Sequence, residues 1–208
     1  MLGASLAAAA AVVVVVALAS GDGGGRDAPA AGRYRGSEPP AGIVLPGFDL
    51  PTYDGSRVTS AELRGRVVLL TLLDSQCTDA CPLLASVIAR ALDRLSAAER
   101  GAVRAVAVSG DPAEDTPASV RRFLAAQRAV GRLEYLVGEE AELRALWTAL
   151  QLLPSLDTGR DAVHSAPLRV YDRDGVWVAT LHAGADLSEE NLLHDIRSAL
   201  AAGGDSSE

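Results

Sequence analysis

The chain has only two cysteines, Cys77 and Cys81, in 208 residues, which excludes a scaffold held by many disulfides. Basic side chains are also in deficit. Nineteen Lys and Arg against 27 Asp and Glu give a net charge of −8, which argues against sequence-independent nucleic-acid binding. With 49% hydrophobic and 22% charged residues, the chain is no collagen, long coiled coil or highly charged disordered polymer. After residue 19 nothing resembles a membrane span. What is present suffices for one compact domain with a sizeable core.

The first 19 residues are largely apolar and carry no charged side chain. Leu6 to Ala19 has the length of a signal-peptide core, and Ala17-Leu18-Ala19 offers a small-x-small cleavage site. Counted from Leu2, 18 largely apolar positions also approach the minimum for a spanning helix. Residues 1–19 are therefore expected to be a cleaved signal peptide or a retained N-terminal anchor. Either makes the chain extracytoplasmic, secreted or held on the outer face of the cytoplasmic membrane. No cysteine follows that could take a lipid. Residues 20–42, rich in Gly, Pro and charge, read as a flexible tether, 43–201 as the folded domain and 202–208 as a solvated tail.

Within the domain, Ile43–Leu50 predicts a strand, and Val67–Leu73 is a nearly continuous apolar run suited to a strand covered on both faces. Leu83–Leu95 has helical periodicity, and Val103–Val108 predicts a second buried strand. Thr116-Pro117 is a cap followed by proline at the first helical position, with Val120, Phe123 and Leu124 as the apolar stripe. A short strand at Leu133–Val137 precedes a helix over Glu139–Leu150. Leu168–Tyr171 and Val176–Leu181 flank the turn Asp172-Arg173-Asp174-Gly175, and Leu187–Leu200 predicts the last helix. A strand leading into a cysteine-bearing helix, a further crossover, then a hairpin and a final helix is the order of a thioredoxin-like α/β fold, a central mixed sheet flanked by helices.

Cys77 and Cys81 follow the first buried strand at once. On a helix, spacing of four puts them one turn apart on one face; with Cys77 in the preceding loop they meet across the helix opening. Either geometry lets two thiolates share a soft metal, Cu(I) or Zn(II), and the loop geometry also admits a disulfide. Pro82 suits a helix start, where unpaired amides stabilise thiolate. The best third ligand is His164, 83 residues beyond Cys81, because a neutral imidazole completes a two-sulfur site for Cu(I), or for Cu(II) with a further donor. His182, at a strand end, and His194, within a helix pattern, are weaker candidates. The single methionine is Met1, so a methionine-rich site is excluded.

Three separated motifs, Cys77-Thr-Asp-Ala-Cys81-Pro82, Gly110-Asp111-Pro112-Ala-Glu-Asp115-Thr116-Pro117 and Val163-His164-Ser165, give the chain a resemblance to the SCO/SenC family of thioredoxin-like copper proteins, from about Phe48 to Leu200. The resemblance implies an extracytoplasmic copper metallochaperone that helps mature the copper centre of respiratory cytochrome c oxidase. Cys77, Cys81 and His164 would be its ligands, and a copper-accepting oxidase subunit or another extracytoplasmic cuproprotein its partner. Asp111, Asp115 and Thr116 either support the site loop or serve turn formation and helix capping. Asp74 and Asp79 would tune the local field without binding metal. Two further readings stand beside delivery. In one, the chain is a thiol-disulfide oxidoreductase with Cys77 attacking and Cys81 resolving; in the other it is a noncatalytic copper sensor or assembly scaffold.

Overall fold

The computed structural model describes residues 32–152 and 167–202; His164, Asp161 and Val163 lie outside them. A small antiparallel ladder of β1 (Asp49–Pro51) and β2 (Arg57–Thr59) precedes the main body. There follow β3 (Val67–Leu73), α1 (Ala80–Asp93), α2 (Ala97–Gly101), β4 (Val103–Ser109), α3 (Pro117–Ala126) and β5 (Glu134–Leu136). The second half contributes α4 (Glu140–Ala149), β6 (Leu168–Tyr171), β7 (Trp177–Leu181) and α5 (Glu189–Ala202). The main sheet has the order β5-β4-β3-β6-β7, parallel from β5 to β3 and antiparallel across β6 and β7. This is the thioredoxin-like α/β architecture.

The central strand explains why its sequence does not alternate. All seven residues of β3 are buried. Val67, Leu69 and Leu73 face a core shared with α1, α3 and α5, while Val68, Leu70 and Leu72 face a second core with α4 and the β1–β2 ladder. A strand covered on both faces is apolar at nearly every position rather than alternating, and Thr71 is the one polar residue of β3. Truncating an apolar one, such as Leu69→Ala, removes contacts worth about 2–5 kcal/mol.

Local signals set the helix starts. Thr116 Oγ1 accepts from the Ser119 amide at 3.2 Å, and Pro117 occupies the first turn where its missing N–H costs nothing. α2 was not expected, yet Ser96 and Glu99 form a reciprocal capping box at its start. The Ile43–Leu50 strand is realised only in part, because Pro46 and Gly47 interrupt it. Asp49 and Leu50 join β1, whereas Val44 bridges Val176, just ahead of the edge strand, and the Trp177 amide donates to Ile43 O.

The body also holds residues whose composition reads as tether. Ser37 pairs with Thr180 of β7. The amides of Arg35 and Gly36 donate to the two oxygens of the buried Asp195 at 2.7 and 2.9 Å. A Cβ at Gly36 would meet Thr180 O at 2.6 Å, so this close approach requires glycine. Among the described residues, no helix is long and apolar enough to cross a membrane.

Candidate metal and thiol site

β3 delivers the chain to Asp74, whose side chain turns it: the Gln76 amide donates to Asp74 Oδ1 at 2.7 Å and the Cys77 amide to Asp74 O at 3.2 Å. Cys77 thus lies in the loop, half-buried, and Cys81 lies buried in the first turn of α1. Of the two geometries left open by the spacing, the loop-to-helix one is found. Neither cysteine is in a disulfide, and their side chains are hydrogen-bonded to each other.

Two influences oppose each other at Cys81. Asp79 precedes α1 without a side-chain cap, and the first turn carries no acid, so the positive end of the helix is left to the thiols. The hydrogen bond with Cys77, and then burial, nevertheless push the Cys81 thiol up from its ordinary value of 9.0; an Asp74 backbone hydrogen bond pulls the other way. Cys81 therefore keeps its proton at neutral pH when no metal or disulfide takes its place.

Beneath the loop sits a carboxyl group that sequence patterning did not distinguish from a turn residue. Asp115, 4% exposed, accepts from the Ser75 amide at 2.8 Å through Oδ1 and from the Ser109 hydroxyl at 2.6 Å through Oδ2. The Tyr135 hydroxyl lies 2.8 Å from both Asp115 Oδ2 and Leu73 O. Burial raises the Asp115 carboxyl above its ordinary range while these hydrogen bonds hold it down. Burial, and then the Asp115 charge, push the Tyr135 phenol well up. The network joins the ends of β3 and β4 to β5, and the Trp147 indole extends it to α4 by donating to Ser109 O at 2.9 Å.

The other two residues considered with Asp115 do take the local roles. Asp111 Oδ1 accepts from the amides of Ala113 and Glu114, and Thr116 caps α3. His182 follows β7, about half exposed, with its backbone N–H bonded to Asp186, and His194 sits on α5 beside Asp195. Among the described residues, no group of three or more His, Cys, Asp or Glu gathers as a metal cluster. The described part of the site is a two-thiol pair.

A family model described as SCO1/SenC matches residues 37–201. A curated relative from Stutzerimonas stutzeri, named "Putative copper-binding protein", is 30% identical over 138 residues, 64% of this chain and 66% of that relative. The chain thus spans just under two thirds of that relative's length. The copper-bound structure of ScoI from Bradyrhizobium japonicum is 27% identical with a TM-score of 0.63, covering 76% of this chain and 99% of that one. Apo Sco1 from Thermus thermophilus shares the fold at 22% identity and a TM-score of 0.66, over 80% of this chain and 97% of that one.

Proposed function

The chain belongs to the SCO1/SenC family, and on that premise we propose that it is an extracytoplasmic copper chaperone serving assembly of the cytochrome c oxidase copper centre. Copper is its cargo. The observation that carries this reading is the hydrogen-bonded pair of thiols, one half-buried and one buried, at the uncapped start of α1. Two sulfurs close enough to share a proton are placed to share a Cu(I) ion, a soft metal that accepts low coordination. His164 supplies the nitrogen donor in this proposal, and Cu(II) would call on it more strongly than Cu(I).

Loading releases protons. Each thiol that binds Cu(I) loses its proton to solvent, and the raised affinity of Cys81 for its proton makes copper uptake weaken as pH falls. Unloading begins at Cys77, the more accessible ligand: a recipient sulfur displaces it first, and Cys81 leaves as its proton returns. The N-terminal apolar segment, cleaved or retained, places the domain outside the cytoplasmic membrane.

An anaerobic Cu(I) competition titration tests the assignment. The reduced chain is expected to hold one copper. Cys77→Ser and Cys81→Ser each weaken it beyond the roughly 10- to 100-fold that loss of a merely supporting residue costs, and His164→Ala weakens it less. Binding indifferent to all three substitutions rejects the site.

The asymmetry of the pair supports a second reading, thiol-disulfide exchange. Cys77 as thiolate would attack a partner disulfide and release one partner thiol. Cys81, deprotonated, would then close the Cys77–Cys81 disulfide, so the partner gains the two electrons this chain loses. Rapid exchange by metal-free protein that is indifferent to His164→Ala would favour it over delivery.

A further inference from the structure

The end of the sheet opposite the cysteines holds a feature that the thiol chemistry does not use. An open cavity of about 530 Å³ lies between the segment entering β1, the residues before β3, and the β6–β7 turn. Its apolar walls are Val44, Leu45, Leu63 and Val68, and its cationic side chains are Arg64 and Arg173. We propose that this cavity binds a carboxylate carried on a short aliphatic stem, with Arg173 and Arg64 holding the oxygens.

The turn fixes Arg173. The Asp172 amide donates to Val176 O at 2.9 Å and the Gly175 amide to Asp172 O at 3.0 Å, while Asp172 Oδ1 accepts from the amides of Asp174 and Val176. The Gly65 amide donates to Arg173 O at 3.0 Å and ties the turn to the strand entry. Arg173 Nε is nevertheless buried without a hydrogen-bond partner. Native proteins seldom leave such a donor unmet, and Arg173 lines the cavity, so a small shift of its side chain would bring the guanidinium to an acceptor held there.

Charge selects the kind of acceptor. Among the described residues, neither Arg64 nor Arg173 enters a salt bridge. The lining contains one acid, the exposed Asp174, so the cavity is locally cationic in a chain of net charge −8. A planar carboxylate matches the guanidinium fork in shape and charge. The apolar walls take the stem, and nothing lies within 4 Å of where a Cβ would stand on Gly47, Gly65 or Gly175. The carboxylate can belong to a free aliphatic acid or to the C-terminus of a peptide ending in small apolar residues.

The test titrates the full chain, in non-ionic micelles, with butanoate, N-acetyl-Ala-Ala and the C-terminal amide of that dipeptide. Calorimetry and the Arg173 Nε–H resonance are the readouts. Saturable binding of either carboxylate that moves this resonance, with no binding of the amide, is the expected result. The tighter of the two identifies the source. Arg173→Met and Val44→Glu should each weaken it about tenfold or more. Val44 is 58% exposed, so its substitution sets a repelling charge at the rim without disturbing the core. Binding of the amide as tight as that of the acid, no saturable binding below about 100 mM (a free energy near 1.4 kcal/mol), or affinities unchanged in both variants would overturn the proposal. Cu(I) stoichiometry should stay the same in both variants, which separates this site from the thiol pair.

Discussion

Asp115 and Asp195 are both buried carboxyl groups that collect donors from distant parts of the chain, yet they hold very different things. Asp115 draws together the loop after β3, the end of β4 and a tyrosine of β5, all around the sheet's central strand. Asp195, on α5, takes two consecutive amides of the N-terminal segment, with the His194 ring 3.1 Å away. The Ser109 and Tyr135 hydroxyls that meet Asp115 remain buried if it is lost; the donors of Asp195 can reach water once their segment lifts. Burial of a carboxylate therefore says little about its worth until one asks where its partners can go.

The largest test of that contrast is Asp115→Ala, which should cost about 3 kcal/mol in urea unfolding, because the buried Ser109 hydroxyl and the Ser75 amide lose their acceptor and the Tyr135 hydroxyl keeps only Leu73 O. Asp115→Asn keeps an oxygen available to the Ser75 amide and should cost less. A smaller effect comes from Cys81. Its folded pKa lies above the ordinary value of 9.0, so the folded state holds the proton more firmly; this stabilisation is complete below about pH 9 and is lost as pH rises further. Cys81→Ser should flatten the alkaline limb of a stability–pH curve of reduced protein.

Smaller still in global terms, Asp195→Ala should cost about 1–2 kcal/mol yet expose the bond after Arg35 to rapid trypsin cleavage. Gly36→Ala should do the same by collision with Thr180 O. Equal global losses for Asp115→Ala and Asp195→Ala would erase the distinction between them. His194→Gln should stay within about 0.5 kcal/mol, as expected of a part-exposed ring at the margin of a network.

The same contrast explains what could be read from the sequence. β3, the hairpin turn at Asp172–Gly175 and the Thr116-Pro117 helix start follow from patterns within a few residues, and all are present. The Cys77–Cys81 spacing indicated proximity but left loop and helix open, since backbone geometry decided between them. Nothing local marks Asp115, whose bond to Ser75 spans 40 residues. Ser109 and Tyr135 look like ordinary strand residues until the fold brings them to it. Arg35–Ser37 were hidden by Gly- and Pro-rich surroundings, and their attachment rests on α5 and β7, far along the chain.

The placement of β3 between a parallel and an antiparallel neighbour also has a consequence in time. β3 meets β4 in a register that pairs Val67 with Val103, whereas its other neighbour pairs Val68 with Tyr171. The first closure spans a much shorter loop and carries the smaller entropic cost. A chain emerging N-terminus first can join β3 to β4 before β6 exists. Cys77, Cys81 and Asp115 thus belong to an early half of the molecule, whose open flank faces solvent until the hairpin of β6 and β7 arrives. Until then the side of β3 that will pair with β6 is an unpaired strand edge, a site where another extended segment could add.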